Sequence, residues 1–206
     1  MHMIKNIIFD FGDVFIDLDK NAPKEFFSRF DIHEMDPEMR QWNLDYERGQ
    51  LSTSAFVDHY IARFPRLNPI SFATAWNSII QYFPQKRLDW IKELAQSRKY
   101  RLFLLSNTND LHMERVMKNM DESRFIQFKS AFEKFYLSQD LKLRKPNPEI
   151  FEYVIRENNL KPNETLFIDD IPENTRAAEK IGLKTWNIKP GKEDITQLFK
   201  LKKELF

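Results

Sequence analysis

Apolar-rich runs recur along the chain at Ile4–Phe9, Arg101–Leu105, Thr165–Ile168 and Lys184–Ile188, with a weaker one at Phe132–Leu137. Short runs without a clean in/out alternation suit strands buried on both faces. Between them Leu88, Ile91, Leu94 and Ala95, then Met113, Val116, Met117 and Met120, then Ile150, Phe151, Val154 and Ile155 recur at three- and four-residue spacing, which predicts helices. Asn147-Pro148 supplies a cap residue followed by a proline at the first helical position. Strand and helix in alternation predict an α/β fold, a Rossmann-like doubly wound parallel sheet covered on both faces.

The alternation is interrupted once, between Asp17 and about Pro84, where every segment has helical character. One helix is predicted to start at Asp36-Pro37, carry Met39, Trp42 and Tyr46 on one face, and stop at Gly49. A second starts at Ser52 or Thr53 and carries Phe56, Val57, Tyr60, Ile61 and Phe64. A third starts at Asn68-Pro69, carries Phe72, Trp76, Ile79, Ile80 and Phe83, and ends at Pro84. The expected organisation is an α/β core from residues 1–16 and 85–206 and a small helical-bundle cap domain from 17–84. The aromatic stripes of the bundle read as its core rather than as ligand contacts. The tail residues Ile195, Leu198, Phe199 and Leu205 predict a last helix, with Lys200, Lys202 and Lys203 on its solvated face.

Composition narrows the partners. The 206 residues fit one domain or one domain with an insert; 42% hydrophobic content with 19 phenylalanines suffices for a core, and 31% charged residues with a mean hydropathy of -0.58 imply a water-soluble surface. Lys+Arg total 32 against 31 for Asp+Glu, so no basic excess exists to release counterions, and nucleic acid is not an expected partner. With no cysteine, disulfides, thiol nucleophiles and thiolate zinc sites are excluded. The apolar start Ile7-Ile8-Phe9 is broken by Asp10, leaving no export signal, and no run approaches membrane-spanning length; a cytoplasmic location with no membrane partner is expected. Met1 and His2, ahead of Met3, are set aside from the fold reading.

Chemistry is limited in the same way. Gly12, Gly49, Gly182 and Gly191 cannot make a dinucleotide fingerprint or a phosphate-binding P-loop. His2, His33, His59 and His112 are scattered without a metalloprotease or serine-hydrolase spacing. Carboxylates remain. In an open parallel sheet a ligand binds beyond the carboxyl ends of the strands, and the first polar residues there are Asp10, then Ser106 and Asn107, then Asp169 and Asp170. Each has a plainer reading, Asp10 as a turn residue, Ser106 and Asn107 as a turn into a helix, Asp169 as a cap. All three sets at one sheet edge point instead to a site. Two like charges 4 Å apart repel by about 4 kcal/mol at an effective dielectric of ~20, so such a crevice requires a cation; all-oxygen donors favour Mg²⁺, commonly completed by substrate phosphate. Lys145, in the loop before Pro146 and a capped helix, is the fixed positive charge, although Lys142, Arg144 and Lys145 also read as a solvated basic run.

The segments FDFGDV at Phe9–Val14, LLSNT at Leu104–Thr108, RKPNPEIF at Arg144–Phe151 and FIDDIPENTRAAEKIG at Phe167–Gly182 resemble, in order, spacing and strand context, the four motifs of the haloacid dehalogenase (HAD) superfamily. The resemblance spans essentially the whole chain and points towards the sugar-phosphate phosphatase branch. It implies five parallel strands in the order 5-4-1-2-3 and a helical cap inserted after the first motif. It also implies that Asp10 is the nucleophile of a phosphomonoester hydrolase working through an aspartyl-phosphate. By the same resemblance Ser106, with the backbone near Asn107, binds phosphate oxygens, and Lys145 neutralises phosphate and nucleophile. Asp10, the Gly12 carbonyl and Asp170 hold Mg²⁺, with Asp169 either a ligand or a support behind it, and Asn174 orients the acids. The substrate implied is a small phosphorylated metabolite, a sugar phosphate being the commonest implication.

One departure matters. Most family phosphatases carry an aspartate two residues after the nucleophile as general acid and base, whereas here that place is Gly12 and Asp13 follows it. Asp13 is the substitute if it reaches the leaving group, and otherwise a loop carboxylate making local turn bonds. Loss of a general acid costs roughly 10²–10⁴-fold, which predicts a slower enzyme that favours good leaving groups. Some sugar-phosphate phosphatases of the small-cap branch have a glycine here as well. The alternatives are a catalytically weak or inactive relative that binds a phosphorylated ligand or a protein partner and, less favoured, a metal-free haloacid dehalogenase, which would leave Asp169-Asp170 without a counter-charge. Phosphonatase and mutase readings share the same core. The turn Tyr46-Glu47-Arg48-Gly49 is the candidate substrate contact from the cap, against the plainer reading of a surface helix end stopped by Gly49. Oligomeric state is not legible.

Overall fold

The computed structural model describes residues 3–206; Met1 and His2 lie outside the described residues. Five strands, β1 (Asn6–Phe9), β2 (Arg101–Ser106), β3 (Lys134–Leu137), β4 (Thr165–Asp169) and β5 (Lys184–Asn187), form one parallel sheet in the order β3-β2-β1-β4-β5. This is the expected order counted from the other edge. β1 lies in the centre, paired with β2 and β4, and the three most buried strands are those with the most continuous apolar runs. The helical segment comprises α1 (Ala22–Ser28), α2 (Pro37–Glu47), α3 (Thr53–Arg63) and α4 (Pro69–Asn77). The chain continues through α5 (Gln85–Ser97), α6 (Asp110–Met120), α7 (Glu122–Lys129), the single turn α8 (Ser138–Leu141), α9 (Pro148–Glu157), α10 (Pro172–Lys180) and α11 (Leu198–Leu201).

Strand alternation sorts the core into two layers. Ile7, Phe9, Leu102, Leu104, Leu166 and Ile168 face α5, α6, α7 and the C-terminal segment through Leu88, Ile91, Val116, Phe128 and Leu198. Ile8, Phe103, Leu105 and Phe167 face α9 and α10 through Ile150, Phe151, Val154 and Ala178. A third cluster, centred on Phe27, Tyr46, Phe56, Tyr60 and Phe72, lies within the helical segment, with Leu111 of α6 packed against it. Its helices begin as their sequences predict: Asp36, Ser52 and Asn68 each accept a backbone N–H three residues on, and Pro37 and Pro69 occupy first-turn positions.

Three expectations are corrected. The third bundle helix stops at Asn77 rather than running to Phe83, because Ile79 and Ile80 leave it to meet the incoming chain: Asp19 N–H bonds the Ile79 carbonyl (2.9 Å), Gln81 N–H the Asp17 carbonyl (3.1 Å) and Asp17 N–H the Tyr82 carbonyl (2.8 Å). The apolar tail is not one helix but the short α11 between two 3₁₀ turns, with Ile195 and Leu198 buried against the sheet. Asn147 precedes α9 without a side-chain capping bond, while Pro148 does take the first turn. No helix of the described residues is long and apolar enough to cross a membrane.

A buried arginine ties the sheet layer to the connecting segment. Arg87, at the start of α5, donates from Nη1 to Asp17 Oδ1 (2.7 Å) and the Phe15 carbonyl (3.2 Å), and from Nε to Asp194 Oδ2 (3.2 Å). Burial pushes the Asp194 carboxyl up, but Lys86, Thr196 and Arg87 outweigh it and hold it at about 2. Arg87→Met strands these acceptors and is expected to lower unfolding free energy by about 2–3 kcal/mol in urea titration. A loss below about 0.5 kcal/mol, as for an exposed ion pair, would contradict this reading.

Candidate active site

The chain winds from β1 to β2 and β3 on one side and to β4 and β5 on the other, so a crevice opens at the carboxyl end of β1. Asp10 follows β1 directly, its N–H extending the ladder to the Ile168 carbonyl (2.8 Å). The loop after it is pinned by its own apolar residues: Phe11, Val14, Phe15 and Ile16 are buried, with Phe11 and Phe15 packed on Phe128 at ring separations of 5.3 and 5.0 Å. A sequence that looks like a loop is therefore part of the core. That holds Asp10 still.

Asp10, Asp169 and Asp170 each offer a carboxylate oxygen within 4.8 Å of the others. Between the first two lies Lys145, 1% exposed, with Nζ 2.8 Å from Asp10 Oδ1 and 2.7 Å from Asp169 Oδ2. Burial alone pushes this ammonium towards neutrality; the two carboxylates more than offset it and hold its pKa above the ordinary lysine value. Burial pushes the Asp10 carboxyl up, Lys145 pulls it back and Asp169 adds to the rise, leaving it at about 7. Lys145 is placed by the Asn107 side chain, whose Nδ2 donates to the Lys145 carbonyl (2.9 Å) while its Oδ1 accepts the Lys145 N–H (2.9 Å). The Asn107 side chain is thus used inside the protein, on the lysine loop.

Asp169 is fully engaged. Oδ1 accepts from Ile171 N–H (2.8 Å) and Asn174 Nδ2 (3.1 Å), and Oδ2 from Lys145 and Asn174 (3.0 Å). Both oxygens are spoken for, so it orients the lysine from behind. Ser106 ends β2 buried, its hydroxyl making, among the described residues, only a long 3.5 Å contact with the Asn107 carbonyl and so available to a ligand. Ser138 Oγ accepts Thr108 N–H (3.0 Å) and donates to the Thr108 carbonyl (3.1 Å), fixing the chain after it.

Asp13 takes the local role. Its backbone is left-handed (φ 54°), a conformation aspartate tolerates better than most residues, and the turn sends Oδ1 to the Leu18 N–H (3.1 Å) and Oδ2 to Lys20 Nζ (2.8 Å). Lys20, unmarked in the sequence, also reaches Asp170 Oδ2 (2.8 Å). Burial opposes the charge on Lys20, but its two carboxylate partners hold its pKa above the ordinary lysine value. Burial pushes the Asp170 carboxyl up and Lys20 restrains it. A Cβ on Gly12 would stand 2.8 Å from Leu18 Cδ1, so Leu18 fills the space that a side chain at position 12 would need.

The donor set fits a hard divalent cation. Three carboxylates face two ammoniums, leaving net negative charge, and every free donor is oxygen: the outward side of Asp10, the second oxygen of Asp170 and the Gly12 carbonyl, which no donor binds among the described residues.

The helical segment brings in Glu47, a member of the Tyr46–Gly49 turn that the sequence offers as a candidate contact. Glu47, at the end of α2, pairs with Arg144 beside Lys145 (Nε and Nη2 to Oε2, 3.1 and 3.0 Å) and lines a cavity with Gly12 and Ser106. The Tyr46–Gly49 turn is docked on the core and not a free surface end: a Cβ on Gly49 (φ 60°) would collide with the Gln139 carbonyl, and Tyr46 Oη accepts the Leu111 N–H (3.1 Å).

Residues 4–182 match the haloacid dehalogenase-like hydrolase family. The chain is 31% identical over 195 residues to the D-ribitol-5-phosphate phosphatase of Bacteroides thetaiotaomicron, covering 92% of this chain and 94% of that one. It is 25% identical over 211 residues to the glyceraldehyde 3-phosphate phosphatase of Pyrococcus abyssi, covering 92% and 83%. Among solved structures, a HAD family enzyme of Bacteroides thetaiotaomicron in its magnesium complex superposes with a TM-score of 0.85 at 35% identity over 95% of this chain and 98% of that chain. The wild-type form of that enzyme with magnesium and inorganic phosphate gives 0.83 at 34%, covering 95% and 99%. Sheet order, the carboxylate–lysine cluster at its switch point and these likenesses agree, and the chain belongs to the haloacid dehalogenase-like hydrolase family.

Proposed function

We propose that this protein is a Mg²⁺-dependent phosphomonoester hydrolase of a small phosphorylated sugar or polyol, with Asp10 as nucleophile. The observation that carries the reading is Lys145, buried and clamped between Asp10 and Asp169, because an ammonium held there neutralises both the attacking carboxylate and an incoming phosphate. The names of the relatives support the substrate class.

Asp10 attacks phosphorus, the bond to the ester oxygen breaks, and water later cleaves the acyl phosphate to return the carboxylate and release inorganic phosphate. Ser106 donates its free hydroxyl to a phosphate oxygen, joined by backbone N–H groups near Asn107. Asn107 and Asn174 act one step back, on Lys145 and Asp169. Asp10, Asp170 and the Gly12 carbonyl would hold Mg²⁺, which when bound would supply charge neutralisation for phosphoryl transfer. Residues 17–84 serve as the lid that excludes water. With Gly12 in place of an acid and Asp13 turned to Leu18 and Lys20, the leaving alkoxide draws its proton from solvent, which favours good leaving groups. A cytoplasmic site of action suits substrates whose charge keeps them from crossing a bilayer.

Phosphate release from D-ribitol 5-phosphate, glyceraldehyde 3-phosphate and an aryl phosphate, with Mg²⁺ and with EDTA, tests the proposal. Turnover is expected with metal and at least about 100-fold less without it. Equal rates in EDTA would remove the metal from the reading. The arrangement at Gly12 and Leu18 favours one second reading, a relative that binds phosphorylated ligands without turnover. Thermal stabilisation by the panel with no phosphate released at any pH would select it.

A further inference from the structure

A cavity of about 150 Å³ opens beside the carboxylate–lysine cluster. Its floor is Gly12 and Ser106, its walls include Leu18 and Ile80 from the two connecting segments, and Glu47 and His112 contribute polar groups. Gly12 lies two residues after the nucleophile and Ser106 carries the hydroxyl assigned to phosphate, so on the phosphatase reading this cavity is placed to take the carbon chain of the ester.

His112 is already satisfied. Nε2–H donates to the Trp76 carbonyl (3.2 Å) and Nδ1 accepts from Asn109 Nδ2 (3.1 Å), while burial pushes its pKa down to about 4, so it is neutral and fixes α6 to α4. Glu47 is different. Both guanidinium bonds from Arg144 land on Oε2, and Oε1 has no hydrogen-bond partner among the described residues. Burial pushes its carboxyl up, and Arg144 restrains the rise. The Glu47 side chain is 27% exposed, so Oε1 is a solvent-reachable acceptor at the cavity, and a charge-assisted hydrogen bond from a ligand hydroxyl can take the place of water there. Glu47 is also rigid with respect to the phosphate end: its partner Arg144 precedes Lys145 in sequence, and Lys142 Nζ donates to the Gly49 carbonyl.

The geometry points to Glu47 as a specificity-determining residue whose Oε1 accepts a hydrogen bond from a hydroxyl on the substrate's carbon chain, so that the site selects polyhydroxylated phosphates over aryl or alkyl phosphates. This rests on the phosphatase reading for the position of the phosphate.

Two measurements test it. In the first, kcat/KM is determined for three- to six-carbon polyol phosphates and for an aryl phosphate in the wild type, Glu47→Leu and Glu47→Gln, at saturating Mg²⁺. The polyol-to-aryl ratio is expected to fall roughly 10–100-fold in Glu47→Leu, chiefly through KM, and by less in Glu47→Gln, which keeps an acceptor. An unchanged ratio, including an equal loss on both substrates as a mere docking contact would give, overturns the inference. Should Glu47→Leu fail to fold, the ratio in Glu47→Gln decides. In the second, calorimetry compares the same polyol phosphates with inorganic phosphate on Asp10→Asn and on Asp10→Asn with Glu47→Leu. The affinity ratio should fall by a similar factor, and no Glu47-dependent preference overturns the inference. A wild type that hydrolyses nothing but shows that preference would sink the phosphatase reading and leave Glu47 standing.

Discussion

Asp10→Asn is expected to abolish hydrolysis of every phosphate ester the wild type accepts, by on the order of 10⁴-fold or more, because an amide oxygen is no nucleophile towards phosphorus and Asp170, the neighbouring carboxylate that keeps a free oxygen, is tied to Lys20 and assigned to the metal. Asp169 is consumed by Lys145, Asn174 and Ile171, and Asp13 by Leu18 and Lys20. The fold should survive. Burial, with Asp169, already pushes the Asp10 carboxyl up to about 7 against the pull of Lys145, so the charge is held at a cost, and the isosteric amide removes that cost while losing one partner of the ammonium. Phosphate-release assays paired with thermal melting check both halves. Retained hydrolysis in a folded, purified variant would falsify the covalent mechanism.

Lys145→Met should harm both activity and stability. The ammonium is 1% exposed and lies within 2.8 Å of two carboxylates, and removing one member of a buried ionic group costs about 3–5 kcal/mol because the others stay buried without compensation. Turnover should fall by about 10³-fold or more, since the phosphate loses its fixed cation. The stability loss carries a pH signature. With the lysine gone, burial and Asp169 keep raising the folded pKa of Asp10 above the unfolded value of ~3.9, opposed only by the smaller pull of the Phe11 N–H. A carboxyl raised on folding binds its proton more tightly in the folded state, so stability is lost as pH rises through that interval and regained as it falls. Urea midpoints of the metal-free variant at pH 7.5 and pH 5 should therefore converge on those of the wild type at the lower pH. A deficit equal at both pH values would show that packing, not charge, is what Lys145 contributes.

Much of the architecture was legible because burial on both faces imposes continuous apolar runs. Ile7-Ile8-Phe9 and Leu166-Phe167-Ile168 must be strands packed above and below, and the acidic residue ending each run marks the carboxyl edge. What stayed hidden has specific causes. The stretch Glu122–Lys129 has few apolar residues for a helix, yet Phe128 is anchored at the centre of an aromatic cluster that only the folded chain assembles. The spacing of Trp76, Ile79, Ile80 and Phe83 mimics a helix, and pairing with residues 17–19 overrides it. Around the site, Glu47 and Arg144 are 97 positions apart and Lys20 and Asp170 150 apart, distances at which single-sequence patterns carry no information. The direction of Asp13 depends on one left-handed backbone residue that its side chain does not require.

The paired crossing at 17–19 and 79–82 has a consequence for how such a protein can diversify. Because the outgoing and returning chains are hydrogen-bonded to each other, the sheet sees the entire helical bundle as the tip of a single hairpin. Closing a longer or shorter excursion at that doorway changes the loop entropy only logarithmically, roughly 0.6 kcal/mol per doubling. The bundle is thus an exchangeable cassette. A lineage can replace the surface proposed to read the carbon chain, Glu47 included, without re-threading a strand, provided the contacts of Lys20 with Asp13 and Asp170 are kept.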